Sequence, residues 1–241
     1  MRKRYGIWFR FNGLTCMETG SWLLSAPAFV HPAWRGTALT AVGRSGDVFA
    51  TDEAEEPYEM KLKIRTHISN QGVVGEWLSG AGLLSFSWRP DRACPARIEK
   101  SYQWAVVVPG RDPIIEADVL MTCQPWHYMQ PEATALTIAQ SGTEFYNPGS
   151  KAALPTVTVR GSGSFIVTIG DQSIYMQNIS GGIVLNSELG DAYNLAVTEL
   201  LNNKVTGDLW EIAPGRNTIS WELEQGASIS KIEILPKWRF R

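Results

Sequence analysis

Cysteine, histidine and net charge are all scarce in this chain of 241 residues. Three cysteines (Cys16, Cys94, Cys123) form no CxxC pair and no zinc-type spacing. So odd and sparse a set excludes a disulfide framework, and folding in a reducing compartment is expected. The three histidines, His31, His67 and His127, stand far apart without an HExxH or HxH pattern, so a metal site has no sequence support. Lys and Arg total 22 against 24 Asp and Glu, a net charge of −2. No global field therefore draws nucleic acid or an anionic membrane. No apolar run approaches the ~20 residues of a membrane span. The first residues carry signal-like charge, but Arg10 and Asn12 interrupt the apolar stretch behind them. A soluble, unexported protein is expected.

Tryptophan and glycine are abundant instead, with 10 and 22 copies. Together with mostly period-two patterning they favour sheets over helical bundles. Tyr5–Phe11 reads as a strand ending in Asn12-Gly13, a hairpin-turn dipeptide. Val42-Gly43-Arg44-Ser45-Gly46-Asp47-Val48 reads as a tight turn between short strands, and it lacks the GxGxxG spacing of a phosphate loop. Met60–Arg65 alternates strictly, with Lys61, Lys63 and Arg65 as a cationic row on a solvated face. Val73, Val74, Trp77 and Leu78 predict one short helix, capped by Ser69 or Asn70 and ended by Gly80-Ala81-Gly82. Leu83–Trp88, Arg97–Lys100, Tyr102–Val108 and Ile115–Cys123 are further strand candidates.

The character of the chain changes after a junction at 133–150, where Asn147-Pro148-Gly149 marks a strong turn. Strands at Thr156–Arg160, Ser164–Ile169, Ser173–Ile179 and Ile183–Asn186 are expected, joined by glycine turns that include Gly161-Ser162-Gly163. Asp191–Asn203 reads as a short helix or an irregular excursion. Asn217–Leu223 and Ser228–Leu235 are expected to close the domain as a hairpin. The fold class is mainly β, with two β-rich domains at 1–132 and 151–241 and an antiparallel sandwich in the second.

Catalytic signals are poor. No GxSxG elbow is present. The acidic group Glu53/Glu55/Glu56 before Pro57 reads as a solvated loop, and the remaining carboxylate pairs, Glu222/Glu224 and Glu188/Asp191, have no defined separation across a cleft. Cys94 and Cys123 read as structural, since no neighbouring histidine in sequence would lower a thiol pKa. His127, in Pro125-Trp126-His127-Tyr128, reads as a packed strand end. No catalytic, cofactor-binding or metal residue is assigned. A sugar platform would need an exposed indole. In the second half Trp221 fits a buried alternating face, so Trp210, in Gly207-Asp208-Leu209-Trp210, is the exposed candidate.

The order of these features resembles the distal tail (Dit) proteins of long-tailed bacteriophages and prophages over nearly the whole chain. The matching pieces begin with Phe11-Asn12-Gly13, Gly43-Arg44-Ser45-Gly46-Asp47 and Trp77-Leu78-Ser79-Gly80 leading to Leu84-Ser85-Phe86-Ser87. They continue with Arg89-Pro90-Asp91, Cys123-Gln124-Pro125-Trp126, Asn147-Pro148-Gly149, Pro155-Thr156-Val157-Thr158-Val159, Gly161-Ser162-Gly163 and Gly207-Asp208. Pro214-Gly215-Arg216-Asn217-Thr218-Ile219-Ser220-Trp221 ends the series. The resemblance implies an N-terminal ring-forming β domain with one short helix and a C-terminal galectin-like β-sandwich.

It also implies a structural role at the phage tail tip and baseplate hub, without catalysis. A homo-hexameric ring would join the tail tube protein to the tail-associated tip protein, and in some phages it holds the receptor-binding protein. DNA would pass through the ring without specific binding. Localisation would be the virion, assembled in the bacterial host cytoplasm. The chain lacks room for the long insertions of some members, and the His/Asn/Arg set of a galectin sugar site is missing. The alternative is a stand-alone carbohydrate-binding sandwich for host attachment, with Trp210 as its ligand-binding residue.

Overall fold

A computed structural model describes residues 6–28 and 30–241, apart from the side chain of Glu53. Arg2, Lys3, Arg4 and Tyr5 lie outside the described residues. The chain divides into two compact units, Met1–His127 and Tyr128–Arg241.

The first unit opens with β1 (Phe9–Phe11) and β2 (Leu14–Thr15), joined at Asn12-Gly13 as the dipeptide predicts. β3 (Ser21–Leu23), β4 (Trp34–Thr40), β5 (Asp47–Glu55) and β6 (Tyr58–His67) follow. Helix α1 (Gln71–Trp77) precedes β7 (Ala81–Phe86), β8 (Arg89–Arg97), β9 (Ala105–Val108) and β10 (Ile114–Cys123). The main sheet runs in the order β2-β1-β7-β8-β10-β6-β3, and β9 pairs β10. The β6–β10 ladder is antiparallel and unbroken from His67↔Ile114 to Tyr58↔Cys123. Met60, Leu62 and Ile64 of β6 and Ala117, Val119, Met121 and Cys123 of β10 are all buried. Strict alternation thus gives one apolar face, which packs with Phe9, Phe11, Trp77 and Leu84.

The helix differs from its prediction in detail. Val74 and Trp77 are buried, but Val73 faces solvent. Asn70 occupies the N-cap without a side-chain cap bond. The Ser69 hydroxyl instead donates to the Asp112 carboxylate at 3.1 Å. The indole N–H of Trp77 donates to the Phe11 carbonyl at 2.8 Å and ties the helix to β1.

β11 (His127–Met129) carries the unit boundary. The second unit contains β12 (Leu136–Ile138), β13 (Thr143–Asn147), β14 (Thr156–Ile169), β15 (Gln172–Ile179), β16 (Ile183–Asn186) and β17 (Asp191–Tyr193). β18 (Val205–Thr206), β19 (Gly215–Leu223), β20 (Ser228–Leu235) and β21 (Arg239–Phe240) complete it. Residues 133–150, expected as a junction, thus include β12 and β13, which pair β20 and β19.

The expected turn at Gly161-Ser162-Gly163 is instead the middle of β14, which runs through it for 14 residues. Residues 156–162 pair β20, and residues 165–169 pair β19. One strand therefore serves both ladders, and glycine permits the bend. A Cβ on Gly161 would overlap the Ser228 carbonyl oxygen, and Gly163 has φ +96° with Ala227 Cα 2.7 Å from its Cβ position. β19 and β20 pair successive stretches of β14, end to end, and do not form the expected hairpin with each other. Asp191–Asn203 takes the second of its two expected forms, an irregular excursion that ends in a 3-10 turn beginning at Asn202. β17 leads to an isolated bridge, Tyr193↔Leu200. The two ladders enclose a core of Val157, Val159, Phe165, Val167, Trp210 and Ile232, among others.

Candidate assembly surface

Among the described residues β4 and β5 pair only with each other, forming a two-stranded ladder separate from the main sheet. Every residue of β4 is exposed. The turn between the strands is where the glycine spacing places it, with Gly43 and Gly46 both at positive φ. The hairpin is internally fastened. Arg35 pairs with Asp52, the Thr51 hydroxyl donates to the Arg35 carbonyl at 2.7 Å, and the Thr40 hydroxyl donates to Asp47 at 2.8 Å. The Phe49 ring lies against Gly36, leaving no room for a Cβ there.

The hairpin has little core of its own. Trp34, Leu39, Val42 and Val48 face solvent, and Phe49 is 54% exposed despite its contact with Gly36. A two-stranded ribbon is at best marginal in water, so burial on another surface is its main available source of stability. Of the acidic group expected as a solvated loop, Glu53 and Glu55 lie in β5 and Glu56 follows it, and Glu55 is buried at the hairpin base.

The cationic row of β6 is matched by acids on β10. Lys61 reaches Asp118 at 2.8 Å, Lys63 reaches Glu116 at 2.8 Å, and Arg65 donates to Glu116 at 2.7 Å. In the register Arg65 stands opposite Glu116 and Lys63 opposite Asp118. The lysines therefore bond diagonally, a reach ordinary for long side chains on adjacent strands. The bonds from Lys63 and Arg65 hold the Glu116 carboxyl below its usual pKa range. A face neutralised in this way offers no open cationic stripe to a polyanion.

A buried polar cluster stands at the opposite end of the same ladder. Tyr58 faces Cys123 in register, and Cys94 lies beside Cys123 on β8. The Cys123 thiol, donating to Cys94, is the largest influence drawing the Cys94 thiol down to about 5, with the nearby His127 ring adding to it against the cost of burial. That bond and burial push Cys123 upward, while burial pushes Tyr58 upward. The sequence expectation that no histidine stands near Cys94 holds only along the chain, because the fold brings His127 beside it across 33 residues. His127 Nδ1 is buried without a hydrogen-bond partner. All three cysteines are free and buried. Among the described residues no group of three His, Cys, Asp or Glu could hold a metal ion, and no helix is long and apolar enough to cross a membrane.

The sugar-platform expectation is overturned. Trp210 is fully buried, and its indole N–H donates to the Gln172 carbonyl at 3.0 Å. Trp221, expected inside, is only partly buried. The flanking Gly207-Asp208 turn suggested exposure, but a long-range bond holds the indole in the core.

No family profile and no curated protein matches the sequence. A solved structure does match. The crystal structure of SPP1 Dit (gp 19.1) superposes with TM-score 0.73 at 13% identity, covering 95% of this chain and 97% of the other. The chain has the Dit fold. That neighbour is described as a paradigm of the hub adsorption apparatus in phages infecting Gram-positive hosts. The mainly β class and the single short helix expected from sequence agree with it. Sequence reasoning missed the isolation of the β4–β5 hairpin. The signal was present in Trp34, Leu39, Val48 and Phe49, but alternation alone does not say whether an apolar row has a partner.

Proposed function

We propose that this protein is a structural hub of a phage tail tip, a homo-hexameric ring linking the tail tube to the tip and host-adsorption apparatus. The observation that carries this reading is the superposition on SPP1 Dit over 95% of the chain. The first unit forms the ring, and the second is a galectin-like sandwich on its outside. A closed ring of identical chains requires one heterologous interface, in which two different surfaces of the chain meet. The β4–β5 hairpin, which pairs with no other strand among the described residues and exposes Trp34, Leu39, Val42, Val48 and Phe49, suits such a contact.

The ring's partners are the tail tube protein on one side and the tail-associated tip protein on the other. A receptor-binding protein docks where the phage uses one. DNA crosses the ring without specific binding, in keeping with the neutralised β6–β10 face. The protein acts as scaffold and performs no catalysis, and it resides in the virion after assembly in the host cytoplasm. The stand-alone carbohydrate-binding alternative relied on Trp210 as an exposed platform, and the buried ring removes that platform.

Sedimentation velocity tests this reading. The unaltered chain is expected to show a ring-sized species, and Leu39→Asp on the hairpin is expected to shift it toward monomer without altering the fold of either unit. Equal assembly of both chains contradicts the role given to the hairpin.

A further inference from the structure

Asn12-Gly13 is the only Asn-Gly step in the sequence. Both residues are exposed and both have positive φ, 47° and 84°, as a two-residue hairpin turn requires. Phe11 and Leu14 pair across the turn, and the Gly13 N–H has no hydrogen-bond partner among the described residues. Nothing lies within 4 Å of the Cβ position of Gly13. The Asn12 carboxamide rests on the backbone of Gly82, where a Cβ would overlap it, and its Nδ2 donates to the Ala81 carbonyl at 3.4 Å. A bare main-chain nitrogen thus stands next to a side-chain amide held by one long bond.

We propose that Asn12 is a site of self-modification, at which the Gly13 nitrogen attacks the Asn12 side chain and converts the residue to isoaspartate. Hydroxide removes the Gly13 N–H proton. The nitrogen bonds to Asn12 Cγ, the Cγ–Nδ2 bond breaks, and Nδ2 leaves as ammonia with a proton from water. Water then opens the five-membered imide. Cleavage at the main-chain carbonyl routes the chain through Cγ, giving isoaspartate, and cleavage at the side-chain carbonyl gives aspartate. The sum is one water consumed and one ammonia released. Glycine favours the attack because it has no Cβ to obstruct the nitrogen.

Ring closure requires Asn12 to rotate out of the turn about its Cα–C bond, and the fold makes that opening local. β2 is two residues long and, among the described residues, pairs only β1. The Asn12 N–H is bonded to the Leu83 carbonyl at 3.3 Å, so β1 stays on β7 while Gly13, Leu14 and Thr15 move away. Short edge elements open at a small part of the global unfolding cost. The product then keeps the turn from closing again. Isoaspartate adds a carbon to the main chain between Phe11 and Leu14, which shifts their pairing, and a carboxylate replaces the donor to Ala81. The modified chain loses β2 from the edge of the main sheet and keeps β1.

Ageing of the full chain in mildly alkaline buffer tests the proposal, with isoaspartate located by methyltransferase labelling and peptide mass spectrometry. Asn12 is expected to carry more isoaspartate than the other eight asparagines together. In mildly acidic buffer it is expected to carry less, because the Gly13 nitrogen keeps its proton. Asn12→Gly retains a residue suited to positive φ and has no side-chain amide, so most of the label is expected to disappear. Amide hydrogen exchange over residues 12–16 is expected to rise in the aged native chain, to stay low over Phe9–Phe11, and not to change on ageing in Asn12→Gly.

Label spread evenly over the asparagines, or undiminished in Asn12→Gly, overturns the assignment of the site. Isoaspartate at Asn12 with unchanged exchange over residues 12–16 overturns the loss of β2.

Discussion

Trp210 donates its indole N–H to the carbonyl of Gln172 at 3.0 Å, from a ring that no solvent reaches. The bond joins the segment after β18 to the start of β15 and fixes the largest fully buried side chain of the second unit. Trp210→Ala should therefore cost about 3–5 kcal/mol by leaving a cavity. Trp210→Phe, which keeps most of the volume and orphans the Gln172 carbonyl, should cost less. Chemical denaturation of the second unit checks both.

The bend in β14 gives a second expectation. A side chain at Gly161 meets backbone, the Ser228 carbonyl, and cannot be relieved by a rotamer change. Gly161→Val should destabilise the second unit by roughly 1–3 kcal/mol, the usual range for overpacking. Calorimetry should show its transition shifting down while that of the first unit stays in place.

Glu116 gives a pH dependence. Its folded-state pKa is lowered by the bonds from Lys63 and Arg65. A depressed carboxyl stabilises the fold fully above its unfolded pKa, about 4.3, and that contribution disappears as pH falls through the folded value. Glu116→Gln should be less stable than the unaltered chain at pH 7, and the gap should close as the pH drops below about 4. Urea midpoints at a series of pH values measure it.

Cys94 gives a spectroscopic expectation. With its thiol drawn down to about 5 by Cys123 and His127, thiolate absorbance near 240 nm should be present at neutral pH and decline on acidification. His127→Ala should move that midpoint upward. The native chain should nonetheless resist bulky thiol reagents, because all three cysteines are buried.

How far the sequence could be read depended on the range of the interaction. The alternation of Met60–Arg65 and of Ile115–Cys123 is a local pattern, and both strands are found with the inward faces expected. Gly161-Ser162-Gly163 carries the same local signal whether the chain turns or bends, and only pairing with β19 and β20 decides between them. Trp210 beside a glycine turn looked exposed because its partner, Gln172, is 38 residues away. Cys94 looked isolated because His127 is near only in the fold. The β4–β5 hairpin was visible as strands and turn, while its separation from the main sheet was not.

The central claim is a six-membered ring, and light scattering on the purified chain with negative-stain averages of the same peak tests it most directly. Six copies of a 26.7 kDa chain predict a particle of about 160 kDa, or two such rings stacked, with six-fold symmetry around a central channel. A monomer at every concentration examined, or a closed assembly of different symmetry, would contradict the account.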